Sequence, residues 1–274
     1  MTGEGMTGGL QFAEIDDIVV HYRVDGPADG PKLVFSNSLG TDFRTWDAVT
    51  ARLSGRYRIL RYDTRGHGLT SCPKGGYAIE RLGDDLAGVM DAAGFDRATI
   101  CGLSVGGVTA QQLHKAHPGK VRALILCDTA AKIGDDAMWQ ARIDNALGPD
   151  GIAGMAEAIL QRWFSDGFPK TDPVAFAGWR TMLVHTPAAG YAGVSHALKD
   201  GDLRDHCARI DVPTLVVCGA EDGATTPAMN RELAGAIPDA SYLEIPESGH
   251  LPCIEQPAAL ADAIAGFMQE HGGG

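Results

Sequence analysis

Three residues have the types and surroundings to do chemistry: a serine between two glycines, and an aspartate and a histidine that each follow a later apolar run. Gly102-Leu-Ser-Val-Gly106 comes after the apolar run 98–101 and before a helix-compatible stretch. That order puts Ser104 on a turn from strand to helix. A hydroxyl held above a sheet needs a sharp turn, and flanking glycines relieve the crowding it creates. The helix behind Ser104 would aim its free N–H groups and positive end at a developing oxyanion. The chemistry is nucleophilic attack on an acyl carbon. A glycine-rich phosphate loop or a plain tight turn is the other use of the same residues.

A serine nucleophile needs a base, and the base needs an orienting group. The chain has nine histidines. His114, His117, His185, His196 and His206 fall in helix-like segments and read as surface or packing residues. His21 lies in an opening hairpin and His271 in a terminal tail. His250 follows the run 241–245 through Pro-Glu-Ser-Gly, so a loop could carry it over the sheet toward Ser104. An exposed loop histidine is the plain alternative. Asp222 closes Gly-Ala-Glu-Asp after the run 213–219 and reads as the acid. Glu221 beside it and Asp128, one strand earlier, are its rivals. An oxyanion hole needs two donors. One is the backbone N–H of Val105. The other belongs to the loop Asn37-Ser-Leu-Gly40, by position Leu39, with the register open by one residue.

Holding these groups at strand ends requires a sheet. Residues 10–15 and 18–24 read as a β-hairpin across Asp16-Asp17. The runs 32–36, 57–62, 98–102, 121–127, 213–219 and 241–245 are rich in Val, Ile and Leu without clean alternation, as strands buried on both faces are. Helical stretches at 79–93, 105–117, 227–237 and 257–270 alternate with them. The expectation is an α/β fold, a mostly parallel sheet flanked by helices. The alternation breaks at 131–209, which holds only helix-like pieces (138–147, 152–163, 173–183, 191–199) and three of the four tryptophans. This divides the chain into a core of 1–130 and 210–274 with a helical cap insertion at 131–209.

The 274 residues can bury a large core without staples. A formal net charge of −12 disfavours nucleic acid and acidic membranes as partners, and mildly repels an anionic substrate. Six cysteines with no C-x-x-C pair read as buried free thiols in a reducing compartment. The first residues have neither the basic nor the apolar region of a secretory signal. No apolar run reaches the length of about eighteen residues that a membrane span needs. A cytoplasmic protein is expected, its oligomeric state left open.

The segments NSLGTDFRTWD (37–47), LRYDTRGHG (60–68), CGLSVGG (101–107), LCDTAAKIG (126–134), RWF (162–164), TPAAGYAG (186–193) and SGHLPCIEQP (248–257) together resemble the 3-oxoadipate enol-lactonase family of α/β-hydrolases. The order Ser104, Asp222, His250 is the chain order of that fold. Three departures stand out: Asp128 where asparagine is usual, Gly223 after the acid, and Val105 for the common methionine. Many relatives also carry His-Gly where this chain has Asn37-Ser38.

The resemblance implies hydrolysis of the enol-lactone of 3-oxoadipate in aromatic-acid catabolism, through an acyl-enzyme on Ser104, with no metal or organic cofactor. The partner is then a small lactone or ester. Such a substrate keeps one free carboxylate, for which Lys132, Arg142, Arg162 and Arg180 are candidate clamps, with Trp139 and Trp163 as walls. A general carboxylesterase, another lactonase or a cofactor-free perhydrolase would use the same triad. A ligand-sensing receptor on a hydrolase scaffold is a further reading. Dehalogenases and epoxide hydrolases need aspartate where this chain has Ser104.

Overall fold

Asp16 takes a left-handed backbone (φ 52°), a conformation aspartate tolerates better than most residues. It closes β1 (Gln11–Ile15) onto β2 (Ile18–Asp25) as an antiparallel hairpin. The computed structural model describes residues 9–271. The first eight residues, part of the stretch read as lacking a secretory signal, lie outside the described ones.

Six more strands follow: β3 (Lys32–Ser36), β4 (Arg58–Tyr62), β5 (Ala98–Leu103), β6 (Val121–Cys127), β7 (Thr214–Gly219) and β8 (Ser241–Ile245). The sheet order is β1-β2-β4-β3-β5-β6-β7-β8. β2 pairs antiparallel with β4, and every pair from β4 to β8 is parallel. This is the mostly parallel α/β architecture expected from the apolar runs. Successive residues of β3 serve opposite faces. Leu33 and Phe35 join one buried cluster with Ile125 and Val217, while Val34 joins another with Leu60, Ile100 and Leu126.

The core helices are α1 (Asp47–Leu53), α2 (Ile79–Ala92) and α3 (Val105–Ala116). Between β6 and β7 come α4 (Asp136–Leu147), α5 (Gly151–Trp163), α6 (Phe168–Thr171), α7 (Pro173–Val184), α8 (Ala188–Asp200) and α9 (Arg204–Cys207). α10 (Pro227–Ala236), α11 (Pro252–Glu255) and α12 (Pro257–His271) complete the chain. The expected long helices agree with these bounds to within a few residues. The 3₁₀ turn Phe43–Trp46 and α1 were not legible. Each is too short to show a period, and what holds them is tertiary: fully buried Trp46 stacks on Phe35 with ring centroids 4.3 Å apart. All six cysteines are free, five of them buried. Among the described residues no helix is long and apolar enough to cross a membrane.

Candidate active site

Ser104 stands between β5 and α3 with φ 58° and ψ −119°, a strained backbone of the kind that costs on the order of 1–3 kcal/mol. Its surroundings hold it there. The Ser104 N–H donates to the Cys127 carbonyl (3.0 Å), and the Thr129 hydroxyl donates to the Ser104 carbonyl (2.7 Å). The two glycines answer to contact rather than to conformation, since neither has a positive φ. A Cβ on Gly102 would stand 2.2 Å from the Gly106 carbonyl oxygen, and one on Gly106 would stand 2.2 Å from that of Ser36. Because backbone sits on the far side of both contacts, Gly106→Ala is expected to destabilise the fold by about 3 kcal/mol. Gly119, with open space around its Cβ position, is the control. Urea unfolding giving equal stabilities for the two alanine variants would contradict this account of the turn.

His250 lies in the loop after β8, and its Nδ1 is 2.9 Å from Asp222 Oδ2. Asp222 is itself densely bonded. Oδ1 accepts from the backbone N–H groups of Ala224 (2.7 Å) and Thr225 (3.0 Å), and Oδ2 accepts from the Thr225 hydroxyl (2.8 Å). Burial pushes the Asp222 carboxyl up, but the charge and hydrogen bond of His250, with the Ala224 and Thr225 donors, hold it below the usual range. The rivals sit differently. Glu221 is exposed. Asp128 is fully buried, its Oδ1 accepting from the Gly219 N–H (2.8 Å).

Glu255 ties the histidine loop to the segment that follows α5. It accepts from the Gly249 N–H (2.7 Å), the Ser165 N–H (3.1 Å) and the Ser165 hydroxyl (2.6 Å). Thr225 and Glu255 were not singled out from the sequence. The signal for Thr225 was its place three residues after an acid, the spacing of a side chain that caps its own turn. Glu255 had no comparable local signal.

Ser104 and His250 line one cavity of about 150 Å³ with Leu39, Trp139, Arg142, Arg162 and Trp163. Its volume is below the roughly 300–1,000 Å³ of drug-sized sites, which suits a small substrate. Val105 starts α3, so its N–H lies in the first turn, where intrahelical partners are lacking. In the opposite loop the Gly40 N–H donates to His67 Nε2 (3.0 Å), so that amide is already engaged, while Ser38 and Leu39 line the cavity. Asn37 fixes that loop: its amide donates to the Tyr62 carbonyl (2.7 Å) and its oxygen accepts from Trp46 Nε1 (3.0 Å).

The four candidate clamps separate. Lys132 Nζ is turned to the Lys199 carbonyl (2.5 Å), and Arg180 pairs with Glu157 (2.7 Å). Neither lines the serine cavity. Arg142 and Arg162 do, and neither has an ion-pair partner among the described residues. The Arg142 guanidinium lies 5.0 Å from the Trp139 ring centroid, a cation–π distance. Burial raises the pKa of the Tyr191 hydroxyl on the same wall, against the pull of Arg142 and Arg162. Trp179 lines a separate surface cleft of about 840 Å³, with His21 and His185 but without Ser104 or His250.

The model of the "Alpha/beta hydrolase family" matches residues 33–263. The chain is similar to "3-oxoadipate enol-lactonase 2" of Acinetobacter baylyi, 38% identical over 92% of this chain and 94% of that protein. It is also similar to "3-oxoadipate enol-lactonase 1" of the same organism, 35% identical over 94% and 99% of the two chains. The solved enol-lactonase from Burkholderia xenovorans LB400 superposes with a TM-score of 0.91 at 41% identity, covering 94% of this chain and 100% of that one.

Proposed function

The chain belongs to the alpha/beta hydrolase family, and from that premise we propose that it opens the enol-lactone of 3-oxoadipate, with Ser104 as nucleophile, His250 as base and Asp222 as orienting acid. The observation that carries this reading is one small cavity holding Ser104, His250 and two arginines without counter-charges. The relatives named for this reaction supply the substrate.

In this mechanism Ser104 Oγ attacks the lactone carbonyl carbon while its proton passes to His250 Nε2. The Asp222 carboxylate accepts from Nδ1–H, which keeps Nε2 free to take the proton and then stabilises the imidazolium. The carbonyl oxygen becomes an oxyanion between the amides of Val105 and Leu39. Collapse breaks the ring C–O bond. The enol oxygen leaves, takes the proton from His250 and tautomerises to the ketone, still tethered to the acyl chain. Water then gives a proton to His250 and adds to the acyl carbon. The Ser104 ester bond breaks, Oγ recovers its proton, and 3-oxoadipate leaves. An enolate is a better leaving group than an alkoxide, so the amides and His250 suffice for expulsion.

Following loss of freshly generated enol-lactone by ultraviolet absorbance tests the reading. A kcat of about 1–10³ s⁻¹ is expected. Turnover of simple esters without turnover of the enol-lactone would leave only a general carboxylesterase.

The free carboxylate of the substrate is assigned to Arg142 and Arg162. Hydrogen bonds to charged groups contribute about 1.5–3 kcal/mol, so Arg142→Met or Arg162→Met should raise KM for the enol-lactone by about 10- to 100-fold. KM for a neutral aryl ester should move far less. Equal effects on both substrates would remove the arginines from carboxylate binding.

A further inference from the structure

We infer that Asp128 is a positioning residue that stays a neutral carboxylic acid, its O–H turned to the Asp222 carboxylate so that two buried carboxyl groups carry one negative charge. The inference rests on the reading of Asp222 as the triad acid. A carboxyl oxygen of Asp128, one of Asp222 and the Cys218 sulfur all lie within 4.8 Å of one another, and all three residues are buried. Two carboxylates this close in a dry interior do not both ionise.

The hydrogen bonds decide which one keeps the proton. Asp222 faces two backbone N–H groups, the Thr225 hydroxyl and His250. Asp128 has the Gly219 N–H on Oδ1, and its Oδ2 is buried without a partner. The titratable groups around Asp128 are Asp222, Cys218, Cys127 and Cys253, with His250 beyond Asp222. Burial lifts the thiols of Cys218 and Cys253, and the Cys101 contact together with burial lifts that of Cys127, so none brings a charge. Burial, then the Asp222 charge, lifts the Asp128 carboxyl well above the usual range.

The backbone fixes this arrangement. Asp128 has φ 47°, its N–H donates to the Val217 carbonyl (2.8 Å), and the next N–H, of Thr129, donates to Asn230 Oδ1 (3.0 Å). An otherwise unpartnered O–H so held keeps Asp222 turned toward His250 and shares its charge. Asparagine suits the same φ and presents an N–H in place of the O–H, whereas glycine suits the φ and presents nothing.

Three variants test the inference. Asp128→Gly should lower kcat for the enol-lactone about tenfold at similar KM, the worth of one hydrogen bond to a charged group. Asp128→Asn should recover all but about threefold of it. A carboxyl whose folded pKa is raised destabilises the fold as pH climbs from its unfolded value toward its folded one. As pH rises above about 5, where the unfolded-state carboxyl is ionised, the stability of Asp128→Asn relative to wild type should therefore grow, approaching tenfold in the unfolding constant per pH unit until the folded-state carboxyl ionises. The infrared carbonyl band of a protonated carboxyl at neutral pH should be present in wild type and absent from Asp128→Asn. No such band, with a stability difference independent of pH, overturns the inference. If Asp222→Asn stays active while Asp128→Asn is inactive, the triad reading fails instead, because Asp128 is then the acid.

Discussion

Replacing Ser104 with alanine is expected to lower kcat for the enol-lactone about 10⁶-fold, the scale at which loss of a triad serine removes the acyl-enzyme route. The amides of Val105 and Leu39 remain and can still polarise a bound carbonyl, so a residue of about 10³–10⁴ over water is expected. Alanine has to adopt the φ of 58° that serine does, and the bonds that hold this backbone, from Cys127 and Thr129, do not involve the hydroxyl. The variant should therefore fold and bind the lactone with little change in affinity. Steady-state assay alongside thermal unfolding checks both halves. A folded Ser104→Ala protein with more than about one per cent of wild-type turnover would rule out the serine as nucleophile.

Asp222→Asn should cost about 10⁴-fold in kcat, for a reason fixed by its neighbours. The oxygen of the new amide belongs on the backbone N–H groups of Ala224 and Thr225, where Oδ1 now sits. Its NH₂ then faces His250 Nδ1 and donates to it. The imidazole proton moves to Nε2, on the side of Ser104, and the base can no longer accept. The electrostatics give a second readout. Because the carboxyl of Asp222 is held below its ordinary range, its stabilising contribution is present above the unfolded-state value and is lost as pH falls through the lower folded-state one. Asp222→Asn should therefore be less stable than wild type near neutrality, and the difference should shrink in acid. An active Asp222→Asn enzyme would move the acid role to Asp128.

What could be read from the sequence was whatever has a local cause. The Gly102–Gly106 turn announces itself because glycine is needed at both contacts with neighbouring backbone. Asp222 and His250 follow apolar runs, and any parallel sheet collects such strand ends on one edge. What needed coordinates depends on partners far away in the chain. Lys132 and Arg142 look alike as cations between β6 and β7, yet a carbonyl on α8 occupies one while the other lines the cavity. Glu255 belongs to the site because Ser165, 90 residues earlier in the chain, meets it beside its near neighbour Gly249. The engagement of the Gly40 amide by His67, 27 residues further along the chain, likewise leaves no local mark in the loop Asn37-Ser-Leu-Gly40.

The two arginines without counter-charges have a consequence for traffic through the cavity. In the proposed reaction the lactone arrives as a monoanion, and its carboxylate is met by Arg142 and Arg162 in a protein of net charge −12. Hydrolysis creates a second carboxylate at Ser104, where the neighbours are neutral amides and the buried Asp222 charge lies behind His250. The new carboxylate of the dianion is therefore repelled by the buried Asp222 charge and, once released, by the surface field outside. Chemistry itself reverses the balance between retention and escape, so the charge distribution that slows arrival of an acid also hastens its departure once it carries two charges.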